Sequence, residues 1–229
     1  MEVLVEDLIV RDGARTFLEI GANDGYLSDP LNLAIFRHGL TGTFVEPQSN
    51  YFRELQKTYH GFDGLQFLQC AVAAEKGAMT MYTLDCSSGR LPGWAQGVGT
   101  LSRRQIQKFG DQIANIELYI RSDQVQCVTV PELLARAESS DPDILVVDAE
   151  GFDHAILSQF DFARLSTKLV IYETESMSAE NIAGLTRAFE ANGFATFEEG
   201  QDTVAVKTHT ETYRRRAARA GVRLDPAVT

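Results

Sequence analysis

The sequence predicts an α/β fold in which a mainly parallel sheet is covered on both faces by helices. Short apolar and β-branched runs alternate with longer helical patterns over most of the chain, as expected when parallel strands are joined by right-handed crossovers. The run from Asp143 to Asp148 is apolar at every internal position, which indicates a central strand buried on both faces. A closing hairpin over Gly200, Gln201 and Asp202 adds an antiparallel strand at one end of the sheet.

Periodicity and turn residues give the order of the elements. Pro47 stops the second strand, Gly193 terminates the last long helix, and Pro30 is expected in the first turn of the first helix. The predicted strands cover 16–20, 43–46, 66–72, 78–84, 125–130, 143–148, 168–172, 194–199 and 203–207. The predicted helices cover 27–39, 50–60, a short segment that opens at 130–132, 152–159 and 179–192.

Composition limits the classes of function. The 229 residues carry 21 basic and 32 acidic side chains, a net charge of -11, and such a surface repels phosphate backbones, so no nucleic-acid partner is expected. No apolar run approaches the roughly 18 residues that span a bilayer, and the acidic start of the chain is unlike a secretory signal. Cys70, Cys86 and Cys127 are too scattered for a disulfide framework or a zinc site. We therefore expect a cytoplasmic protein with no membrane partner; a homo-oligomer is left open.

Residues 1–207 are predicted to form a single domain, since a chain of this length can bury one large core. The remaining residues, 208–229, form a basic tail with five arginines and two acids. This tail is either a solvated helix or frayed end, or an arm that binds anions.

A glycine turn from Gly21 to Gly25 follows the first strand and precedes a helix, the place where open α/β sheets bind ligands. Its spacing is not the G-x-G-x-x-G of a pyrophosphate site. Glu19 and Asp24 beside it would repel a pyrophosphate, and they favour a ligand with cationic groups, such as an α-ammonium beside a sulfonium.

Glu46 ends the second strand about 20 residues after the glycine turn, where an acid commonly accepts hydrogen bonds from ribose hydroxyls. Together with the acidic turn, it indicates a nucleoside with a positively charged tail. S-adenosylmethionine is such a molecule.

The run Phe17–Gly25 resembles the first motif of class I S-adenosylmethionine-dependent methyltransferases, and Val45-Glu46-Pro47 resembles the second. The segments Val128–Leu134 and Asp143–Gly151 are similar to the FkbM family of that superfamily. The resemblance covers roughly residues 16 to 207. It implies a Rossmann-like, doubly wound, mainly parallel seven-stranded sheet, and methyl transfer that is usually to oxygen.

The resemblance also implies a set of cofactor-binding residues around the two motifs and the third strand. They are Glu19, Gly21, Ala22, Asn23, Asp24, Gly25, Glu46, Pro47, Ala71, Val72 and Asp148. The acid that often follows the third strand is replaced by Cys70-Ala71-Val72, so another group must recognise the base. Val130-Pro131-Glu132 likewise replaces the usual Leu-Asp-Asp.

The candidate catalytic residues follow the two most buried strands. Asp148 and Glu150 lie two apart, so they share one side if the backbone stays extended, and burial beside a second carboxylate would prepare one of them as a base. Glu150 has an alternative role in shaping the turn with Gly151. Glu173 ends the next strand and should face the same cleft, and His154 lies in the first turn of the helix between them, as a further candidate or as a structural residue.

Asp148, Glu150 and His154 could also ligate Mg²⁺, since carboxylate oxygens suit this ion. No full ligand set is fixed by the sequence, and methyl transfer from a sulfonium does not require a metal. We therefore predict no metal site.

Residues 85–104 surround the single tryptophan with Gly, Ser and Pro and are a candidate substrate lid. Trp94 would stack on a sugar or ring, while Arg90, Arg103 and Arg104 would bind a phosphate or carboxylate. The alternative is a mobile surface loop with one packed tryptophan.

The leading hypothesis is an S-adenosylmethionine-dependent O-methyltransferase that acts on a hydroxyl of a sugar or small natural product. A nicotinamide-dependent oxidoreductase is a second hypothesis, and the glycine spacing argues against it. A third is a non-catalytic nucleoside-binding module.

Overall fold

The computed structural model describes residues 1–219, which form α-helices and β-strands in alternation. The helices are α1 (Glu2–Asp12), α2 (Asn32–His38), α3 (Ser49–Thr58), α4 (Arg103–Gln107), α5 (Val130–Leu134), α6 (Asp153–Leu157), α7 (Ala179–Ala191) and α8 (Glu211–Arg219). The strands are β1 (Thr16–Ile20), β2 (Thr41–Val45), β3 (Leu65–Leu68), β4 (Ala71–Val72), β5 (Gly77–Leu84), β6 (Gly99–Thr100), β7 (Ile120–Val128), β8 (Ile144–Val147), β9 (Leu169–Glu173), β10 (Phe194–Glu199) and β11 (Asp202–Lys207).

The main sheet has seven strands in the order β10-β11-β9-β8-β1-β2-β3. The five strands from β9 to β3 pair in parallel, whereas β11 runs antiparallel to both of its neighbours. This sheet confirms the predicted fold class, a Rossmann-like doubly wound sheet with a C-terminal antiparallel hairpin strand. One core cluster packs on each face: Phe17 and Phe44 belong to one, Leu18 and Val45 to the other. Alternate residues of β1 and β2 thus face opposite layers, as parallel strands covered on both sides require.

The single strand predicted over 66–72 is two strands in the structure. Its first part, β3, pairs with β2, and the last bond of that ladder runs from the Glu46 amide to the Leu68 carbonyl at 3.1 Å. The next residue on the β2 side is Pro47, which has no N–H to continue the ladder. The chain therefore leaves the main sheet, and β4 joins a second sheet in the order β4-β7-β5-β6.

The first predicted helix is shorter than expected and begins after Pro30 rather than before it. The carboxylate of Asp29 accepts hydrogen bonds from the amides of Leu31 and Asn32 at 2.6 and 3.0 Å. These bonds satisfy the first free donors of α2, which runs from Asn32 to His38. Ser28 has a φ of 60°, so the preceding backbone is not helical.

The helix α1 was not predicted, and it is the surface on which α8 packs. Asp12 at the end of α1 accepts hydrogen bonds from the Glu211 and Thr212 amides at 2.7 and 3.0 Å, which caps α8. Arg215 of α8 forms an ion pair with Asp7 of α1 at 3.3 Å. The part of the basic tail that the structure describes is therefore a docked helix, and residues 220–229 of that tail lie outside the described residues. Among the helices described, none has the length and apolar character needed to cross a bilayer.

Candidate active site

A cavity of about 700 Å³ lies where the parallel strands of the main sheet end. The carboxyl ends of β1, β2, β8 and β9 and the start of β11 form its floor. The opposite wall comes from the segment around Trp94 and Gly97 and from Met81 of β5. Open α/β sheets bind their ligands at this edge, so the fold places the cavity where the sequence predicted a site.

Backbone contacts fix the glycine turn in this cavity. The amides of Gly21 and Ala22 donate to the Val45 carbonyl at 2.9 and 3.1 Å, and the Asp148 amide donates to the Ile20 carbonyl at 2.9 Å. Gly21 has a φ of 89°, and a Cβ atom at this position would collide with the carbonyl oxygen of Asp148. Glycine is therefore required for the first turn and the Asp148 turn to lie in contact.

Glu46 bridges the ends of the first two strands. Its carboxylate accepts hydrogen bonds from the Asn23 amide at 2.9 Å and the Gln48 amide at 2.7 Å. The side chain is buried, and burial raises the pKa of Glu46 to about 7 despite these two bonds. Both oxygens keep a lone pair that can accept a ligand hydroxyl.

Glu19 lies in β1, next to the glycine turn, and is only 3% exposed. Its Oε2 atom has no hydrogen-bond partner among the described residues, although the side chain lines the cavity. Burial raises the pKa of Glu19 well above its usual range, and the nearby Asp29 and Asp148 raise it further. An unpaired buried carboxyl of this kind is costly unless a ligand or a proton compensates it.

Asp24 and Gly25, although predicted to bind the cofactor, are not among the residues that line the cavity. The Asp24 carboxylate accepts hydrogen bonds from the Tyr26 and Leu27 amides at 2.9 and 3.0 Å, which holds the turn after β1. A Cβ atom on Gly25 would lie 2.6 Å from the side chains of Leu55 and Tyr59. Both residues therefore support the turn from behind.

The turn after β8 carries three acids with different roles. Asp148 is surrounded by protein but open to the cavity, and burial, followed by the charge of Asp202, raises its pKa to about 6. Glu150 has a φ of 48° and lines the cavity, and burial raises its pKa to about 8. The buried Asp153 accepts hydrogen bonds from the Ala149 and Gly151 amides, both at 3.2 Å. Asp153, which the sequence did not single out, thereby shapes the turn that presents the other two.

Glu173 faces this cavity as well, whereas His154 does not line it. Burial raises the pKa of Glu173 to about 8, and its Oε2 atom has no partner in the described structure. Within residues 1–219, no three His, Cys, Asp or Glu side chains converge on a metal position. Asp148, Glu150 and His154 therefore do not form the Mg²⁺ set considered from the sequence.

The predicted lid is a folded segment rather than a long loop. It contains a short 3₁₀ helix at Gly93–Ala95, β6 and the start of α4. Trp94 is 43% exposed, lines the cavity and packs against Phe109, with ring centroids 5.2 Å apart. Gln48 donates to the Gly97 carbonyl at 2.8 Å, which ties the segment to the end of β2.

The three arginines of this segment do not line the cavity, and Arg103 forms an ion pair with Glu117 at 2.8 Å. The cavity is completed by two acids that the sequence analysis did not identify. Asp29 precedes α2 and Asp202 begins β11, and neither lies in a recognisable motif. Only the folded topology brings these two acids beside Glu19 and Glu173.

The lining residues of the cavity include eight carboxylates and no Lys, Arg or His side chain. The carboxylates belong to Glu2, Glu19, Asp29, Glu46, Asp148, Glu150, Glu173 and Asp202. Pro47, Ala71 and Val72 form an apolar wall beside Glu46. This combination fits a nucleoside that carries a sulfonium and an ammonium, because the acids match its positive groups and the wall can take an uncharged base. It would repel a pyrophosphate.

A family model described as the methyltransferase FkbM domain matches residues 19–211. The chain belongs to the FkbM methyltransferase family. Membership implies in general that S-adenosylmethionine is the methyl donor. No curated protein matches the sequence.

Two solved structures illustrate the structural likeness. The FkbM methyltransferase of Methylobacillus flagellatus superposes with a TM-score of 0.52 at 9% identity, over 84% of this chain and 43% of that one. The chain thus spans less than half the length of that relative, and the likeness shows a shared fold. A precorrin-6y C5,15-methyltransferase from Geobacter metallireducens has a TM-score of 0.41 at 12% identity, over 90% of this chain and 86% of that one.

Gly21→Ala is expected to lower the free energy of unfolding by about 3 kcal/mol or more, because the added Cβ would force β1 away from Asp148. Gly39→Ala is a matched control: Gly39 also has a positive φ, of 63°, but nothing lies within 4 Å of a Cβ there. The control should cost about 1 kcal/mol of backbone strain. Urea denaturation measures both, and equal losses would contradict the close contact.

The ligand-free protein is expected to lose stability as pH rises from about 5 to about 8. Burial raises the pKa of Glu46 and Asp153 to about 7, and that of Glu150 and Glu173 to about 8. The folded state therefore holds protons that the unfolded chain releases, and each such proton lowers the free energy of unfolding by about 1.4 kcal/mol per pH unit.

Thermal denaturation at constant ionic strength measures this effect. Glu46→Gln should reduce the slope, because it removes one of the titrating groups. The ion pair of Asp143 with Lys168 does not interfere, since it lowers the Asp143 pKa and acts only below this pH range. A melting temperature that rises between pH 5 and 8 would show that the acids are ionised and compensated in the ligand-free protein.

Proposed function

We propose that the protein uses S-adenosylmethionine to methylate a hydroxyl of a small acceptor, such as a sugar or a natural product. The observation that carries this proposal is the acidic cavity at the strand ends, with Glu19 buried and unpaired and no basic side chain lining it. Family membership supports methyl transfer. The choice of oxygen and of the acceptor class is our inference.

The residues around the glycine turn would hold the methyl donor. Glu46 would accept hydrogen bonds from the ribose hydroxyls, and Glu19 would lie on the side of the cationic tail. The apolar wall of Pro47, Ala71 and Val72 would receive the base. When bound, S-adenosylmethionine supplies an activated methyl group, so the protein mainly has to align the acceptor with it.

Asp148 is the carboxylate best suited to accept the hydroxyl proton. Its pKa of about 6 leaves it mostly ionised at neutral pH, whereas Glu150 and Glu173, with pKa values of about 8, mostly hold their protons. As the acceptor oxygen forms its bond to the methyl carbon, the sulfur keeps the electron pair of the broken bond, and the hydroxyl proton passes to Asp148. Asp153 would act as a positioning residue, because it holds the turn that carries Asp148.

The same charges argue against the oxidoreductase hypothesis, because a nicotinamide dinucleotide would place its pyrophosphate among these carboxylates. The net charge of -11 supports the view that the partner is a small molecule and not a nucleic acid or an anionic membrane. A cytoplasmic setting is part of the same proposal. A nucleoside-binding module without turnover is the remaining hypothesis, and an activity assay distinguishes it from an enzyme.

Wild-type protein is expected to bind S-adenosylmethionine and S-adenosylhomocysteine, but not NAD⁺, in parallel calorimetric titrations. Glu46→Gln should weaken binding about tenfold, because it removes a charged acceptor from the ribose. Glu54→Gln makes the same charge change on the exposed face of α3 and should leave the affinity unchanged. Absence of binding by both sulfur nucleosides, with NAD⁺ bound, would overturn the proposed cofactor.

Asp148→Asn is expected to lower methyl transfer about 10²- to 10⁴-fold while cofactor binding is retained, because the amide cannot accept the proton. Transfer is measured with methyl-labelled S-adenosylmethionine and a mixture of hydroxylated compounds. Asp161→Asn, at an exposed position after α6, is the control. Full activity of Asp148→Asn would remove this residue from the reaction. A wild-type protein that binds the cofactor and methylates none of the acceptors offered would favour the binding module.

A further inference from the structure

We infer that the acceptor carries a protonated amine near the hydroxyl that is methylated, as in an amino sugar. This inference rests on the proposed function and names its substrate class. The acids that support it lie in the half of the cavity beyond Asp148, away from the glycine turn and Glu46. S-adenosylmethionine brings one net positive charge, and that half of the cavity adds more acids than this charge can match.

The strand pairing places these acids together. Val147, just before Asp148, pairs with Tyr172, just before Glu173, in the parallel ladder of β8 and β9. Glu173 in turn pairs with Asp202 at the start of β11. Neighbouring strands lie about 4.8 Å apart. Asp148, Glu173 and Asp202 therefore form a short row, and Glu150 lines the same cavity.

The protein itself supplies little positive charge to balance this row of acids and Glu150. Within residues 1–219, none of these four carboxylates forms an ion pair with a Lys or Arg side chain. The Asp148 carboxylate accepts a hydrogen bond from the Glu150 backbone, and the amino group of Met1 is the positive charge that acts on Asp202. Glu173 Oε2 is buried without a partner. The hydroxyl of Tyr172, a cavity residue that is only 1% exposed, is unpaired as well in the described structure.

An acceptor with an ammonium group would supply both the positive charge and the hydrogen-bond donors that these acids lack. Its positive charge favours release to solvent of the proton that Glu173 holds in the ligand-free protein. Its three N–H donors can then bond to Glu173 and to its neighbouring acids, and its hydroxyl is left beside Asp148. A phosphate or carboxylate on the acceptor would be repelled by these acids, because no Lys, Arg or His side chain lines the cavity and the amino group of Met1, which also lines it, already lies beside Asp202. The arginines near Trp94, which would have suited such an anion, lie outside the cavity.

The same arrangement decides which atom is methylated. An amine that is held by carboxylates stays protonated and has no lone pair for attack on the methyl carbon. The hydroxyl is therefore the nucleophile: its O–C bond forms, the S–C bond breaks with its electrons left on sulfur, and its proton passes to Asp148. The product is a methyl ether that keeps its free ammonium group.

Matched acceptors test this inference on the 229-residue chain with methyl-labelled S-adenosylmethionine. One set consists of glucosamine, N-acetylglucosamine, glucose and glucose 6-phosphate, and a second consists of tyramine and N-acetyltyramine. In each set, we expect kcat/KM for the compound with a free amine, glucosamine or tyramine, to exceed that of the neutral and anionic compounds at least tenfold. Mass spectrometry should locate the methyl group on oxygen.

Glu173→Gln should reduce this preference several-fold by raising KM for the amine. Glu198→Gln changes the same charge at an exposed position of β10 and should leave the preference intact. Equal turnover of the N-acetylated or phosphorylated members, methylation on nitrogen, or no turnover of any amine by protein that binds S-adenosylmethionine would each overturn the inference. Failure to bind S-adenosylmethionine at all would instead overturn the proposed function.

Discussion

The crowding of carboxylates at one edge of the sheet is the constraint on which the rest of the structure depends. Five neighbouring strands, in the order β2, β1, β8, β9 and β11, each place an acid there: Glu46, Glu19, Asp148, Glu173 and Asp202. Burial disfavours the charged form of Glu19 and Glu46, which are each 3% exposed, and proximity adds repulsion among all five acids, including the exposed Asp148. These five acids must therefore take up protons or bind cations. Ligand binding, protonation and stability are coupled through this single feature.

The scaffold that holds this row together is mainly backbone. The close approach of Gly21 to Asp148 joins β1 to the turn after β8, and Glu46 joins the first turn to the end of β2. Asp153 holds the turn that presents Asp148. These contacts leave the acids little freedom to move apart, so repulsion between them is not relieved by a local rearrangement of the strands. Compensation has to come from the cavity.

Much of the fold could be predicted from the sequence, because strands buried on both faces are apolar runs with clear ends. The bounds of β1 and β10 match the prediction residue for residue. Glu46, Asp148 and Glu173 were found for a related reason: an acid at the end of an apolar strand stands out. Asp202 could not be found in this way, since only its pairing with Glu173 of a distant strand places it in the cavity. Asp29 could not be found either, because it ends no strand and is held at the start of α2 by Leu31, Asn32 and Tyr59. The docking of α8 on α1 likewise depends on tertiary contacts that leave no local pattern.

The acids at this edge would also allow the cationic donor and the cationic acceptor that we propose to share one cavity. Their positive charges would repel each other in an apolar site, but Asp148 lies between the half that contains Glu19 and Glu46 and the half that contains Glu173 and Asp202. The proposed methyl transfer would remove the charge from sulfur and deliver a proton to Asp148. The total charge in the cavity would therefore be the same before and after the reaction, and only its position would change. A cavity that is lined by eight acids and by no Lys, Arg or His side chain would accommodate that shift, because acids lie near both the old and the new position of the charge.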